Sequence, residues 1–524
     1  MYSCPGCGSQ MLFDIAGQQL KCGRCDRTMS IEEADRKEAR QAGGSFAVDL
    51  LTCPTCGAEI RAMNTAAASF CSYCGSSVML EKQDAEFDPP ETLIPFQVTR
   101  EECFAKFQGM LNKSFCADHR LKKGVTADSF RGIYVPYHTY EAAVRGTAQI
   151  DGTETKGNTT YYYKTTVQLN HRYYGILHDA SREMPDNISE AISLPLEAQK
   201  KFVPFSPAYL SGFYADVADT DPDLYVPYAR SEAIRQGLED TMPTLRDDTL
   251  SYSASAAEKV LMSKTEAVYH GDTLLPVWFM SVRSGKRVLY AVQNAVTGEM
   301  WADIPMDIPR FALVTLAIAA VLFAVFNLVL TLRPEMVMAA AMLLALFAQC
   351  AVNGRLTRIG EKEMAEAVVR GESVDMKDRM SKMKRMERRV SRQERGPFLR
   401  YLGAAAAGVI SVAGLNLLSR LDDVRIFRYG ALGLTAIMAF LLLPIGGRRS
   451  KMPVGCLVTF TAMVAGTLLM LLDPFHSADM PVYLVTLAIM AGVVWECLDL
   501  LQLYNKSCSN PLPQFESHQG GELL

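Results

Sequence analysis

Four Cys-x-x-Cys pairs occupy the first 74 residues, and they constrain the fold of this chain more than any other feature. The pairs are Cys4/Cys7, Cys22/Cys25, Cys53/Cys56 and Cys71/Cys74. Fourteen residues separate the first pair from the second, and the same spacing separates the third from the fourth. Two such knuckles at this separation supply the four thiolates of a tetrahedral zinc site, and the residues between them form a short hairpin.

The knuckle sequences suit tight turns. Cys4-Pro5-Gly6-Cys7-Gly8 and Cys53-Pro54-Thr55-Cys56-Gly57 place proline inside the loop and glycine directly after it. Proline presets one φ angle, and glycine can take a positive φ, so backbone N–H groups can point at the sulfurs. Cys74 is also followed by glycine, whereas Cys25 is followed by Asp26.

The eight cysteines therefore predict two structural Zn²⁺ sites, one in each ribbon. Ligation by cysteine alone leaves no coordination position open for a substrate, and the metal supplies folding energy to segments too small to bury a core. A disulfide framework would require an oxidising compartment, and no signal peptide precedes Cys4. A rubredoxin-like iron site uses similar knuckles and remains an alternative.

The expected fold is multi-domain, combining two tandem Cys4 zinc ribbons, an α+β domain with an antiparallel sheet, and an all-α bundle of six transmembrane helices. The predicted boundaries are ribbon 1 at 1–29, a linker helix at 30–50, ribbon 2 at 51–80, a linker at 81–92 and the α+β domain at 93–308. They continue with transmembrane helices 1 and 2 at 309–353, a basic helical loop at 354–400, transmembrane helices 3 to 6 at 401–505 and a tail at 506–524.

Periodicity predicts the elements of the α+β domain. Capping boxes start helices at Ser30 with Glu33 and at Thr99 with Glu102. The predicted helices are 99–114, Ser189–Lys201 and Ala229–Asp240. The predicted strands are 132–150 and 160–178, with a turn at Gly152–Asn158. A hairpin of 265–283 and 286–296 follows them. Ile133–Tyr137 and Leu274–Trp278 are similar strands that contain proline, and we interpret them as equivalent places in a duplicated unit.

Six apolar runs follow the α+β domain, and each is of a length to cross a bilayer. They are Phe311–Leu332, Met336–Val352, Leu402–Leu418, Tyr429–Ile445, Val454–Leu472 and Val482–Leu501. Loop charge predicts that 354–400 and the Arg448–Lys451 loop face the cytoplasm, although the three arginines of Ser419–Arg428 then lie outside. Both termini are then cytoplasmic, where reduced thiols persist, and the expected location is the bacterial inner membrane.

Charge argues against nucleic-acid binding by the front half of the chain. Residues 1–308 carry 30 Lys and Arg against 40 Asp and Glu, a net charge of −10, whereas phosphate binding needs a basic surface. The 354–400 loop is basic, with 14 against 8, a net of +6. It predicts either an extension of the transmembrane helices or an amphipathic helix that contacts anionic lipid or a partner helix.

Motifs of known catalytic chemistry are absent from the sequence, so we expect no enzyme activity. His171 and His178 are seven residues apart on a predicted strand, which places them on opposite faces as surface or packing residues. Glu496 and Asp499 are acidic residues in the last apolar run, close enough to its cytoplasmic end for their side chains to snorkel into water.

Several stretches of residues 1–308 resemble a family of bacterial membrane-associated zinc-ribbon proteins, described as TFIIB-type or, from the ribbon alone, as PriA-helicase-like. Besides the paired ribbons, the matching stretches are Ile94–Phe96, Gly132–Tyr137, Tyr209–Phe213, Leu275–Trp278 and Asn294–Glu299, and the family usually has glycine where Ala295 stands. The resemblance implies a protein without enzyme activity, similar to envelope-stress membrane anchors of the YdjG type. Its implied partners are phage-shock-protein-A-like or SPFH-type proteins.

The sequence thus favours a membrane-embedded scaffold whose zinc ribbons and α+β domain present a docking surface for proteins at the bilayer. One alternative is a membrane-tethered nucleic-acid-binding protein, for which Lys21, Arg24 and Arg27 offer a local basic cluster. The other is a transporter or channel that uses Glu496.

Overall fold

The structure, a computed structural model, contains two compact units. The described residues are 2–38, 46–62, 71, 73–75, 81–87, 89–156, 159–181, 194, 201–216, 218, 220–241, 250–253, 255–284, 287–329, 334–369, 424–442, 454–472 and 479–511. One unit contains Met1–Phe115, His119–Ile304 and Asn510–Leu524, and the other contains Cys116–Asp118 and Pro305–Ser509. The predicted helix Ser189–Lys201 falls almost wholly outside the described residues.

The first four cysteines lie on a small antiparallel sheet of their own. Its strands are β1 (Met11–Asp14), β2 (Gln19–Cys22) and β3 (Thr28–Met29), and helix α1 (Ile31–Glu38) follows them. The N–H of Glu33 donates to the Ser30 hydroxyl over 3.2 Å, as the predicted capping box requires. The predicted linker helix over 30–50 is wrong at its C-terminal end, because a strand begins at Phe46.

The remaining strands form one large, mainly antiparallel sheet. They are β4 (Phe46–Thr52), β5 (Glu59–Ala62), β6 (Glu81–Phe87), β7 (Thr92–Leu93), β8 (Arg131–Lys156), β9 (Thr159–Asp179), β10 (Val203–Pro204), β11 (Tyr214–Ala215), β12 (Leu250–Ser253), β13 (Thr265–Ser284), β14 (Arg287–Asn294), β15 (Met300–Ala302) and β16 (Asn510–Pro511). The main path runs β10-β7-β13-β8-β11-β5-β4-β6. The strands around the second four cysteines therefore belong to the same sheet as the α+β domain.

The predicted linker over 81–92 is wrong. Residues Glu81–Phe87 form β6, which pairs with β4 over seven residues. Its sequence is highly charged and therefore resembles a linker, but charged residues are common on strands that end a sheet because they discourage further pairing. The two regions separated at the sequence level as ribbon 2 and the α+β domain consequently form a continuous structure.

The helices and hairpins of the α+β domain largely match the prediction. Helix α2 (Arg100–Lys113) has the complete Thr99–Glu102 capping box and is followed by the short α3 (His119–Gly124), while α4 (Val226–Thr241) and α5 (Ser255–Met262) lie further on. The predicted turn at Gly152–Asn158 is too long, because β8 continues to Lys156 and Gly152 pairs with Tyr163. Ala295 keeps a negative φ, so this position does not require glycine.

The two proline-containing segments face each other across the centre of the sheet. On the antiparallel strands β8 and β13, Pro136 pairs with Leu274 and Tyr134 pairs with Pro276. The residue paired with each proline thus lies two positions before the other proline. A local two-fold axis between the strands requires this symmetry. Each strand also continues into a hairpin, β8 into β9 and β13 into β14.

The hydrogen bonds around the two prolines match in the same way. Leu274 and Tyr134 each accept a backbone bond from the end of a short parallel strand, and the two proline carbonyls each accept one from just beyond a hairpin. The four bonds are Ile94 N to Leu274 O at 3.0 Å, Asp216 N to Tyr134 O at 2.9 Å, Ala295 N to Pro276 O at 3.0 Å and Ala180 N to Pro136 O at 3.1 Å. This repetition confirms that the segments occupy equivalent places.

The second unit consists of helices. They are α6 (Ile308–Val329), α7 (Pro334–Val369), α8 (Val424–Leu442), α9 (Val454–Leu472) and α10 (Asp479–Ser507). Three described segments, Pro334–Val352, Val454–Leu472 and Asp479–Ser507, are long and apolar enough to cross a membrane. The predicted span Leu402–Leu418 lies outside the described residues, and α7 continues into the predicted basic loop as far as Val369.

Candidate metal centres

The first four cysteines converge at one end of their small sheet. In this first quartet, Sγ of Cys4 lies 3.4 Å from that of Cys25, and Sγ of Cys7 lies 3.4 Å from that of Cys22. All four sulfurs lie within 4.8 Å of one another. The N–H of Gly6 also donates to Cys4 Sγ over 3.4 Å, as expected of a turn that presents its amides to a thiolate.

All four knuckles use the same turn, and this explains the glycines after them. In each, the residue after the second cysteine donates its N–H to the carbonyl of the first cysteine, at distances of 2.8 to 3.1 Å. That residue has a positive φ in every case: 70° at Gly8, 55° at Asp26, 80° at Gly57 and 68° at Gly75. Asp26 therefore adopts a left-handed conformation that glycine adopts at lower cost.

The second four cysteines form a similar cluster with wider sulfur–sulfur distances. In this second quartet, Sγ of Cys53 lies 3.8 Å from that of Cys74, and Sγ of Cys56 lies 3.8 Å from that of Cys71. A tetrahedral ion with metal–sulfur bonds of about 2.3 Å places its sulfurs about 3.8 Å apart. The spacing of the second quartet therefore fits such an ion, and the sulfurs of the first quartet are slightly closer.

Burial distinguishes the two quartets. Cys25 is exposed and Cys7 is half-buried in the first quartet, whereas every cysteine of the second is buried. The second quartet lies inside a hydrophobic cluster of the large sheet, together with Leu51, Ala58, Tyr73, Ile94, Ile133, Val135, Tyr137, Leu275, Val277, Phe279, Val288, Tyr290, Val292 and Val296. A metal bound there would be part of the core of the α+β domain.

Polar contacts connect the last knuckle to the sheet. Tyr73 donates its hydroxyl to Asp216 Oδ2 over 3.1 Å, and Tyr290 donates to the carbonyl of Tyr73 over 2.8 Å. Ser181 donates to the same oxygen of Asp216. Sequence reasoning missed these residues, since only the position of Tyr73 within its knuckle could have indicated its role.

The electrostatics of both quartets favour a bound cation. Hydrogen bonds from the Ser9 side chain and backbone, and from Cys22, lower the pKa of Cys7 to about 6. The Arg27 N–H lowers the pKa of Cys25, but interaction with the other three thiols outweighs it and raises that pKa to about 12. In the second quartet, the other three thiols lower the pKa of Cys53, while the pKa of Cys56 is raised by Cys53. One thiolate forms at the expense of its neighbours, and a divalent ion would allow all four to ionise.

The residues present fit a metal, and each quartet could hold one ion, consistent with two zinc sites. The structure brings together all eight predicted ligands, Cys4, Cys7, Cys22, Cys25, Cys53, Cys56, Cys71 and Cys74. Among the described residues these are the two groups of His, Cys and acidic side chains with such geometry. Cys103, Cys116, Cys350, Cys456, Cys497 and Cys508 belong to neither.

The prediction that His171 and His178 lie on opposite faces is wrong. A β-bulge in β9, opposite Tyr140 and Ala142, adds one residue between the two histidines and so reverses their alternation. His178 stacks on Tyr225 with ring centroids 3.7 Å apart, and the His171 ring lies near Gly237 of α4. Both therefore face the α4 side as packing residues.

One buried histidine in the sheet has the partners of an acid–base site. His138 Nδ1 lies 2.7 Å from Asp272 Oδ1, and its Nε2 lies 3.1 Å from the Thr220 carbonyl. Burial raises the pKa of Asp272, but hydrogen bonds from His138 and Tyr269 outweigh it and hold that pKa below its usual value. Trp278 occupies the place equivalent to His138, two residues after the other proline, and its indole N–H donates to the Val98 carbonyl over 2.8 Å. The ring nitrogens of Trp278 and His138 thus each contact a backbone carbonyl, at Val98 and Thr220 respectively. Because tryptophan has no acid–base function in this place, the contact indicates a structural role for His138.

Glu496 does not snorkel, contrary to the prediction. Its side chain has no exposed surface, and neither carboxylate oxygen has a hydrogen-bond partner among the described residues. Asp499, one turn further along α10, accepts a bond of 3.3 Å from the N–H of Gly455.

No family model matches the chain, and no solved structure matches it. The chain is similar to a protein of Bacillus subtilis (strain 168) described as uncharacterized protein YdjG. The two are 24% identical over 338 residues, which cover 63% of this chain and 96% of that protein. Nearly the whole relative therefore corresponds to part of this chain, and more than a third of this chain has no counterpart in it.

Proposed function

We propose that this chain is a multi-pass membrane protein without enzyme activity, whose two zinc centres and α+β domain form a docking platform for partner proteins at the bilayer. The observation that carries the proposal is the second quartet. Its four sulfurs are buried in the core of the sheet, at distances that suit a closed tetrahedral ion. A closed structural metal stabilises a surface and offers no position to a substrate.

The membrane part of the proposal combines helices and apolar runs. Three described helices have the length and composition of membrane spans, and the six runs in the sequence extend this to six crossings. The positive-inside rule then puts both termini, and with them the reduced cysteines, in the cytoplasm of a bacterial cell.

The edge strand β9 of the long β8–β9 hairpin, which carries exposed tyrosines near its start and further along it, is the surface that we propose for docking. Tyr161, Tyr162 and Tyr163 are 47%, 81% and 44% exposed, and Tyr174 on the same strand is 53% exposed. Among the described strands, β9 pairs only with β8, so its outer edge is open to a partner. Tyrosine offers a large rigid contact area with a polar end and is frequent at interaction hot spots.

The basic cluster of Lys21, Arg24 and Arg27 gives the nucleic-acid alternative less support than its sequence indicates. Lys21 forms a 3.2 Å ion pair with Asp26, so part of the positive charge beside the first quartet is neutralised. We propose phage-shock-protein-A-like or SPFH-type proteins as partners instead.

Photo-crosslinking in intact cells tests this function. A photoreactive phenylalanine replaces Tyr162 in the full-length chain, and the matched control replaces Leu224, which is 67% exposed on a different part of the unit. We expect an adduct from position 162 that mass spectrometry identifies as a phage-shock-protein-A-like or SPFH-type protein, and none from position 224.

The same experiment in a Cys53→Ser/Cys56→Ser background asks whether the platform needs its metal. The adduct should disappear with the second centre. Identical adducts from both probe positions, or no protein adduct at all, would count against a docking role. Crosslinks to DNA or RNA would favour the nucleic-acid alternative.

A further inference from the structure

The buried carboxyl of Glu496 lacks the partners that a charged group in an apolar helix unit requires. It is fully buried on α10, and both of its oxygens are without a hydrogen bond among the described residues. An unpaired carboxylate in such surroundings is strongly destabilising, because its charge has lost the solvation of water. A bound positive charge removes that cost, and an acid within membrane helices is a candidate site by default.

Helices α9 and α10 approach each other closely near this carboxyl. A Cβ on Gly455 of α9 would lie 3.0 Å from the backbone N of Glu496, and a Cβ on Gly492 would lie 2.5 Å from Thr459 Oγ1. The two glycines therefore permit a tight contact between α9 and α10 one turn before Glu496 and beside it. This contact brings α9 directly against the turn of α10 that carries Glu496.

The hydroxyl next to the carboxyl has its proton engaged elsewhere, which leaves its oxygen as an acceptor. The Thr459 hydroxyl adjoins Glu496 and donates its proton to the Gly455 carbonyl over 2.9 Å. Gln349 of α7 and Cys456 of α9 are also buried and interact with each other. The titratable groups that face the site are Asp499 on α10 and Cys456 on α9, while α7 contributes the uncharged Gln349.

We propose that Glu496 binds a monovalent cation, a proton or a sodium ion, at a site enclosed by α7, α9 and α10. Oxygen acceptors around an unpaired carboxyl suit either ion: a proton makes the carboxyl a donor to Thr459, and sodium takes the oxygens as ligands. Gln349, Thr459 and Glu496 all lie towards the same end of their apolar segments, the end predicted to face the cytoplasm. The ion therefore exchanges with that side, and the site is independent of the zinc platform.

Carbodiimide labelling of the full-length protein in detergent tests the site, because hydrophobic carbodiimides react with protonated carboxyls in apolar surroundings. We expect a covalent adduct on Glu496 at pH 6, absent in Glu496→Gln and retained in Glu335→Gln, a matched acid at the start of α7. If sodium at constant pH lowers the labelling rate tenfold or more, the ion is sodium. If only raised pH lowers it, the ion is a proton. If Glu496 forms no adduct at pH 6 or at raised pH, with or without sodium, the proposal is overturned.

Thermal unfolding of the same variants supplies a second readout. A glutamine has nearly the shape of a protonated glutamate, so Glu496→Gln should unfold within about 2 °C of the sodium-free wild type, with no response to sodium. A fall of 10 °C or more would instead mean that an anionic Glu496 pairs with a cationic side chain, and it would overturn the proposal.

Discussion

The two cysteine quartets share one sequence pattern and one turn geometry, yet they lie in different surroundings. The first is on a three-stranded sheet with an exposed Cys25, and its contacts with the rest of the unit include Phe13 N to Ser211 O at 3.0 Å and Gln18 Nε2 to Phe96 O at 2.7 Å. The second is surrounded by the core of the large sheet. The comparison teaches that the same motif can organise a local module or an entire domain, depending on what packs around it.

Removal of the second centre should have the largest effect. Cys71→Ser/Cys74→Ser eliminates two buried ligands, and metal binding to structural zinc peptides is worth about 10–16 kcal/mol, comparable to the whole stability of a domain of about 5–15 kcal/mol. We expect the α+β domain to unfold, which limited proteolysis of the full-length protein would detect as rapid cleavage between residues 93 and 304.

The matched change in the first quartet, Cys22→Ser/Cys25→Ser, should release its metal and expose residues 2–38 to protease, while the rest of the unit keeps its resistance. Equal protease sensitivity of the two double variants would show that the two quartets do not differ in how much of the structure depends on them.

The contacts around the last knuckle should have an intermediate effect. Tyr73→Phe removes the hydroxyl that donates to Asp216, so this buried carboxylate loses one hydrogen bond. A lost buried hydrogen bond with a polar partner left behind costs about 1–3 kcal/mol. Chemical denaturation should show that loss for the large sheet, and zinc content should stay unchanged. An unchanged midpoint would mean that the knuckle is less firmly connected to the sheet than its geometry indicates.

Exchange of the turn residues should have the smallest effect. Asp26→Gly removes the conformational cost of a non-glycine residue at positive φ, whereas Gly57→Asp introduces that cost. The cost is about 1 kcal/mol in each case. Competition with a zinc chelator should therefore show a modestly tighter first site in Asp26→Gly and a weaker second site in Gly57→Asp. Changes in the opposite directions would show that side-chain contacts of Asp26, such as its ion pair with Lys21, outweigh the backbone cost.

The sequence predicted what depends on local spacing and chemistry. The two cysteine quartets, the Thr99–Glu102 capping box and the long hairpins are fixed by residues close together in the chain, and the structure has them all. The equivalence of the two proline segments was also visible, because the same local constraint appears twice.

What the sequence did not reveal depends on contacts between distant residues. The charged strand Glu81–Phe87 has no local pattern that separates it from a linker, and only its partner Phe46–Thr52 defines it. The bulge in β9 reverses a side-chain alternation without a clear signal, so the prediction that His171 and His178 lie on opposite faces is wrong. The burial of Glu496 likewise follows from two glycines that let α9 and α10 approach closely.

The order in which the full-length protein loses its two metals tests the central claim most directly. The measurement is native mass spectrometry during titration with a zinc chelator, with alkylation of the freed cysteines at each step. We predict two zinc ions per chain, loss of the first with labelling of Cys4, Cys7, Cys22 and Cys25, and retention of the second until the α+β domain unfolds. Loss of both ions in a single step, or labelling of Cys53, Cys56, Cys71 and Cys74 first, would contradict it.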